Sequence, residues 1–503
     1  MRGRAGEIVE VVSRRKISVC AIQESRWKGQ SARMISGKDS KYKFYWCGDE
    51  SGHGGVGLLI EEALVDTVIS VERVSNRIMF IRIMIGKVII RMFSVYAPQT
   101  GLAEPLKDKF YSDLLGQISL TPENEFLLVC GDLNGHVGKD IAGFDGVHGG
   151  NGFGERNADG IRLLDFCLAA NLAITNTFFS KSPNKLVTYS SGDMQSQIDF
   201  ILVPRNNLKM FRNVTVINGE ECVPQHKPLI GDICLNAGKI TLKTYPPRRR
   251  IWKLKEPAMT EAFRESVNEK LSNSAVTDTD DIDELWLQLK SSVLESFDKT
   301  CGWSKPQQRR RETWWWNDTV NAAVKEKRKL WKLWKKGGSK EPYLIAKRRA
   351  KSVVYTAKKN ASEAQFNCLH DKDKLNHVFQ LARKLKLENQ DIVGEKCIRD
   401  KQGNIAYDDV AKLEAWKQHY ENLLNSEFAW DEAELPILEP TAGPAIEITI
   451  EMVLSAIKHL KAGKSSGPSG IAAEMLKAAS DRIAPNLTRL INKIIHHGKV
   501  PDE

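Results

Sequence analysis

The chain has 503 residues, 42% of them apolar, and a formal charge of +11 from 74 Lys and Arg against 63 Asp and Glu. The length exceeds one ordinary domain, and the apolar share excludes wholesale disorder. A basic balance points to a polyanionic partner, nucleic acid being the commonest.

The opening stretch MRGRAGEIVEVVSRRK has the apolar spacing of a helix and lacks the apolar centre of a secretory signal. Short β-rich runs bounded by Gly, Pro or Asn then follow: KISVCAIQES, GGVGLLI, NRIMFIRIMIG, KVIIRMFSVYAP, EFLLVCGDLNG and QIDFILVP. AEPLKDKFYSDLLGQI and ADGIRLLDFCLAAN carry helical periodicity. Many strands with few helices predict layered sheets covered by helices, an α/β fold over residues 1–237. The nine cysteines are scattered, with no Cys-x-x-Cys pair, and read as reduced residues of a nuclear or cytoplasmic protein. No stretch reaches the roughly 20 apolar residues of a membrane span, so neither secretion nor a membrane location is expected.

Composition changes after Leu235. TYPPRRRIWKLK reads as a linker, and helical patterns dominate to about residue 430. Residues 301–360 hold 18 Lys and Arg against 4 Asp and Glu, leaving 56 against 59 elsewhere, so the excess charge is local. Arg309, Arg310, Arg311, Lys327, Arg328, Lys329, Lys335 and Lys336 are interleaved with tryptophans in ETWWWN and KRKLWKLWKK. Cations neutralise phosphates and indoles stack on bases, which makes this a candidate contact for DNA or RNA. A helix with core tryptophans and a solvated basic face explains the pattern equally well, and both can hold at once. An acidic, proline-bearing passage precedes a last helical piece, giving three expected regions: 1–237, 238–430 and 431–503.

Several strand ends finish in polar groups. ISVCAIQES delivers Glu24, FLLVCGDLN delivers Asp132 and Asn134, QIDFILV carries Asp199, and VPQHKPL offers His226. Tyr96 precedes the strand-ending proline of FSVYAPQT. Carboxylates suit a hard cation such as Mg²⁺, and a histidine oriented by an aspartate can move protons. Taken singly, Asp-x-Asn-Gly is ordinary turn chemistry, and a lone His is more often a surface or core residue. Their co-occurrence in one order is what carries weight.

In that order, Glu24, Tyr96, Asp132, Asn134, Asp199 and His226 resemble the endonuclease/exonuclease/phosphatase superfamily, which includes deoxyribonuclease I and the endonucleases of non-LTR retrotransposons. GFGERNADG (152–160), the helix after it and AITNTFF resemble the element-encoded branch and the craniofacial development protein 2-like proteins. The resemblance implies a four-layer α/β sandwich that cuts phosphodiesters with Mg²⁺ or Mn²⁺. It makes Glu24 and Gln225 metal ligands and Asp132 the group activating water. Asn134 would orient the phosphate, Asp199 would pair with His226, and Tyr96 would bond a phosphate oxygen. Asn157 and Asn176 would border the DNA groove.

The sequence departs from that pattern. The family begins with a strand carrying an asparagine, for which no equivalent is found ahead of the first helix. Gln225 stands where an aspartate is usual, and Gln99 where an asparagine is common. A lost strand leaves its neighbours with open edges and an apolar gap. AIKHLKAGKSSGPSGIAAEMLK resembles the opening motif of non-LTR reverse transcriptases, with Ser469 in place of Asp. It lacks the spacing of a phosphate loop, and no polymerase carboxylates follow it, so no reverse transcriptase activity is expected. The expected protein is a DNA endonuclease of retrotransposon origin. The alternatives are a catalytically silent nucleic-acid-binding or chromatin-associated protein and, further off, a phosphoesterase acting on small esters.

Overall fold

The computed structural model describes residues 4–38, 40–220, 225–235, 247–273, 281–304, 315–367, 375–407, 409–426 and 447–501. The chain groups into two compact units, one of residues 1–242 with 310–426, the other of 243–309 with 427–503.

The first unit begins with helix α1 (Ala5–Arg14), which buries Ile8, Val9, Val11 and Val12 on one face. It carries Glu7 in its first turn and Arg14 in its last, matching the helix dipole. β1 (Val19–Ile22), β2 (Gln30–Ser36), β3 (Lys41–Cys47) and β4 (Val56–Glu61) form an antiparallel sheet in the order β1-β4-β3-β2. Alternation along β3 sends Tyr42, Phe44 and Trp46 toward α1 and Tyr45 and Cys47 toward the opposite face.

β5 (Val68–Ser75), β6 (Ile78–Ile85) and β7 (Val88–Tyr96) follow as a meander. Helix α2 (Glu104–Ser119) then crosses over to β8 (Glu125–Asp132), which pairs parallel with β7. After α3 (Ala158–Ala169) come β9 (Leu172–Ile174), the small hairpin β10 (Tyr189–Ser191) and β11 (Met194–Ser196), and β12 (Asp199–Pro204). These complete a six-stranded sheet ordered β5-β6-β7-β8-β12-β9. A separate ribbon pairs β13 (Phe211–Val216) with β14 (Leu229–Ile233).

Leu58, Ile60, Met79, Ile81, Met92, Leu128 and Val203 fill the space between the two large sheets. Phe93, Val95 and Val129 point outward onto Leu114, Leu163 and Leu164 of α2 and α3. The order is therefore α1, sheet, sheet, α2 with α3: the expected four-layer α/β sandwich. Phe93 is fully buried, and truncating it to alanine costs about 3–5 kcal/mol.

Each described sheet ends in an edge strand on either side. Among the described residues, β1 pairs with β4 alone and β14 with β13 alone.

The basic helices α6 (Asp318–Lys335) and α7 (Glu341–Asn367) pack on each other within the first unit, which also holds α8 (Leu375–Asn389), packed against β2, and α9 (Asp409–Leu424). Trp315 is buried, with its ring near Gly6 of α1 and the Lys358 ammonium 4.4 Å above it. Ile392 enters the inter-sheet core, and Arg73 binds Asp391 at 2.8 and 3.0 Å. The second unit is helical: α4 (Pro257–Asn273), α5 (Ile282–Thr300), α10 (Ile450–His459), α11 (Ala473–Ala478) and α12 (Ser480–His497), with Phe263, Val293, Phe297, Met475 and Ile483 at its centre. No described helix is long and apolar enough to cross a membrane.

Candidate metal-dependent catalytic centre

Strand register gathers the centre. Tyr96 is the register partner of Asp132 across the parallel β7–β8 pair, and Asp132 is the partner of Asp199 across the antiparallel β8–β12 pair. Three adjacent strands therefore end in one polar row, although their residues lie far apart in sequence. Glu24 comes from the loop after β1, and His226 from the segment entering β14, where it bridges to Tyr189.

Ligand atoms of Asp132, Asp199 and His226 lie within 4.8 Å of one another. His226 Nδ1 is 3.0 Å from Asp199 Oδ2, and its Nε2 is 3.8 Å from Asp132 Oδ2. Asp199 thus fixes the ring and leaves Nε2 facing Asp132. Beside them the Tyr96 hydroxyl donates to Glu24 Oε1 at 2.8 Å, Gln99 Nε2 donates to that hydroxyl at 3.2 Å, and Arg26 Nη2 reaches Glu24 Oε2 at 2.9 Å. The Asn134 backbone N–H donates to Asp132 Oδ1 at 3.1 Å, and its side-chain amide to the Ala97 carbonyl at 2.8 Å.

Glu24, Arg26 and Asn134 hold φ of 47°, 56° and 48°. Left-handed backbone at a non-glycine residue costs of order 1–3 kcal/mol and persists where the surroundings enforce it, characteristically at functional sites.

Burial, and next the Asp199 charge, hold the Asp132 carboxyl well above the usual carboxylate range. Burial alone would lower the His226 pKa, but the Asp199 hydrogen bond and the charges of Asp199 and Asp132 raise it to about 9. Burial raises Glu24 too, yet bonds from Tyr96 and Arg26 outweigh it and keep the carboxylate ionised. Tyr96 is pushed up by burial and then by Glu24, so it stays a donor. The centre concentrates carboxylate oxygens that repel one another, the environment a hard divalent cation relieves. Two carboxylates and an imidazole in reach, with Glu24 beside them, can hold a divalent metal ion.

Other expected site residues are placed differently. Gln225 is exposed and donates to Ser191 Oγ at 3.3 Å. Asn157 caps α3: its Oδ1 accepts from Gly160 N at 2.7 Å and His136 N at 3.0 Å. Asn176 is buried, and its amide is spent on β12, donating to the Asp199 carbonyl at 3.0 Å and accepting from Ile201 N at 3.1 Å. Both asparagines give their side-chain oxygen to backbone N–H groups. Lys327 is buried with its ammonium 3.0 Å from Glu7 Oε2, so that pair, not phosphate, satisfies it. Arg328 is half-buried, whereas Lys329, Lys335 and Lys336 are exposed. Arg309, Arg310 and Arg311 lie outside the described residues.

The structure adds residues that sequence reasoning missed. Thr188 Oγ1 accepts from the N–H groups of Ile198 and Asp199 at 3.0 and 3.1 Å, anchoring the start of β12. Arg77 lies over the Tyr96 ring at 5.1 Å and donates to the Tyr96 and Ala97 carbonyls at 3.1 and 3.3 Å. Gln23 reaches Ser94 Oγ at 3.2 Å. Only the adjacency of Gln23 to Glu24 signals any of these in the sequence. A cavity of about 2010 Å³ holds the polar cluster at one part of its wall, with Glu24, Asp132, Asn134, Asp199 and His226 all lining it.

No family model matches the chain. Structures that align with it are the endonuclease domain of TRAS1, a telomere-specific non-LTR retrotransposon (18% identical, 47% of this chain and 94% of that one, TM-score 0.34), and the AP endonuclease LMAP of Leishmania major (9% identical, 45% and 81%, TM-score 0.35). A third is an endonuclease/exonuclease/phosphatase family protein of Leptotrichia buccalis (13% identical, 46% and 93%, TM-score 0.33). Craniofacial development protein 2 of Bos taurus is 29% identical over 250 residues, 49% of this chain and 41% of that protein. The Tragulus javanicus protein gives 29% over 250 residues, 49% and 42%. The chain thus spans about two-fifths of the length of these curated relatives, and the likeness to craniofacial development protein 2 that its ordered motifs anticipated is found over half of its own length.

Proposed function

We propose that the first unit is a divalent-cation-dependent phosphodiesterase that nicks DNA. The observation that carries this is the convergence of Asp132, Asp199 and His226 beside the Glu24–Tyr96 pair, at the ends of three register-matched strands.

Glu24, Asp132 and Asp199 supply the oxygens that would hold Mg²⁺ or Mn²⁺. When bound, such an ion polarises the phosphate and lowers the pKa of its water. Asp132, once ionised, accepts a proton from the attacking water. His226, kept cationic by Asp199, offers Nε2–H to the phosphate as charge builds on its oxygens. The Tyr96 hydroxyl stands ready for the same group, and Asn134 positions Asp132 through its backbone N–H. We assign the chain to a non-LTR retrotransposon ancestry on the motifs at 152–179 and 456–477, with 1–237 as the nuclease region, 238–430 as the basic region and 431–503 as the reverse-transcriptase-like piece.

Supercoiled plasmid incubated with Mg²⁺ should convert to open circles with the wild type, and not with Asp132→Ala, His226→Ala or chelator. Equal conversion by wild type and variants would refute catalysis. A second reading, a binder without catalysis, draws on the exposed Lys329, Lys335 and Lys336 of the α6 region, and leads if wild type binds DNA and cuts none.

A further inference from the structure

We infer that residues 248–255, together with Trp303, form a binding platform for single-stranded nucleic acid on the second unit. Trp252 and Trp303 would stack on unpaired bases, and Arg248, Arg250, Lys253 and Lys255 would meet the phosphates.

This segment reads as a linker in the sequence, yet its described residues are folded against α4 and α11. Arg249 and Trp303 form an antiparallel bridge. Around it, Arg250 N donates to the Gly302 carbonyl at 3.0 Å, Ser304 N to the Arg248 carbonyl at 2.8 Å, and Arg248 N to Ser304 Oγ at 2.9 Å. Gly302, at φ 65°, supplies the left-handed turn that carries the chain from α5 into this pairing. Ile251–Lys255 then winds as a 3₁₀ helix. Side chains three apart in such a helix share a face, and Ile251 and Leu254 pack on the core around Phe263 and Phe297. The same period places Trp252 and Lys255 together on another face, and both are exposed.

Trp303 is ordered in advance. The Arg249 guanidinium lies 4.6 Å above its ring and is fixed by Asp298 at 2.8 and 3.0 Å. Even so, Trp303 is 44% exposed, and Trp252 is 56% exposed. An indole already held in place loses little entropy when a base stacks on it. Charge selects the ligand. Residues 247–255 hold five Lys and Arg and no acid. Tryptophan and arginine also mark protein interfaces, but cations in a run without acids suit a polyanion. A duplex hides its base faces, so exposed indoles between cations favour an unpaired strand, of RNA or of DNA.

The test uses the full chain in chelator, with labelled oligouridine RNA, oligothymidine DNA and a mixed-sequence duplex. Anisotropy should show saturable binding of the single strands. Trp303→Ala and Trp252→Ala should each weaken it about fivefold or more, whereas Trp303→Phe should keep most of it. Arg248→Ala combined with Lys255→Ala should lower the salt slope by about 1.4. Melting checks that each variant folds. Photocrosslinking with iodouridine strands reads the site in the unaltered protein and should mark Trp252 or Trp303. Tighter binding of one strand type names RNA or DNA as the ligand, and either supports the platform. No single-strand binding, binding that both tryptophan-to-alanine variants leave unchanged, or crosslinks confined to other residues would overturn it. So would a duplex bound as tightly as the single strands, because its bases cannot stack on the indoles. None of these readouts depends on DNA cleavage, so the nuclease reading stands or falls separately.

Discussion

Asp132 and Asp199 are direct register partners across the antiparallel β8–β12 ladder. Like charges in that position repel and destabilise the sheet. The fold tolerates them because His226 joins Asp199 and faces Asp132, and because Asp132 holds its proton far above the usual carboxylate range.

That arrangement sets a pH dependence. His226 has its pKa raised to about 9, so its contribution to stability is complete below the unfolded value of about 6.5 and is lost as pH rises through about 9. Asp132, raised by burial, also binds its proton more tightly when folded, so its ionisation likewise lowers stability as pH rises. Thermal melting in chelator should fall steadily from pH 5 to pH 9. Millimolar Mn²⁺ should raise the melting point more at pH 8 than at pH 5, because binding requires ionised carboxylates. A melting point that climbs with pH in chelator contradicts the account.

Asp199→Asn should return the His226 pKa toward the ordinary range by removing the hydrogen bond and charge that raise it. NMR titration of the ring protons reads this directly. An unchanged titration would mean that Asp132, not Asp199, governs the ring.

Tyr96→Phe removes the hydroxyl that donates to Glu24 at 2.8 Å. A hydrogen bond to a charged group is worth roughly 1.5–3 kcal/mol, so cleavage should slow by about ten- to a hundredfold. Cleavage at the wild-type rate would remove Tyr96 from the centre.

Asn176→Ala strands the Asp199 carbonyl and the Ile201 N–H inside the sandwich and should cost about 1–3 kcal/mol in urea unfolding. Asn157→Ala should cost about 1 kcal/mol as a lost helix cap. Neither should weaken DNA affinity at fixed salt, as the loss of a groove-lining amide would.

Lys335→Ala combined with Lys336→Ala should lower the slope of log affinity against log salt by about 2, if both exposed ammonium groups meet phosphate. Lys327→Ala should leave that slope alone and destabilise the fold instead, because it leaves Glu7 without its partner. The reverse pattern would move the DNA contact to the other side of α6.

The strands that position the centre were legible as apolar runs: β1, β4, β6, β7, β8 and β12 all coincide with them. β3 was missed because KYKFYWC interleaves lysines with aromatics, and its burial on both faces comes from the layers around it. The four layers follow from alternation, which sends Met79 and Ile81 inward and Phe80 outward along one strand. Register is not written locally. Nothing in FLLVCGDLNG shows that Asp132 will face Asp199, so the cluster emerged only from the ordered resemblance. The partners of polar residues are set by the fold and not by local sequence. Asn157, Asn176 and Lys327 look available to a nucleic acid, yet their partners are Gly160, Ile201 and Glu7, the last more than half the chain away.

The most direct test of the central claim is cleavage of an end-labelled duplex by the full chain in Mg²⁺, wild type against Asp132→Asn, with folding checked by melting. The account predicts product from the wild type, its loss in chelator, and a folded variant slower by at least about a hundredfold. A folded Asp132→Asn that cuts as fast as the wild type would contradict it.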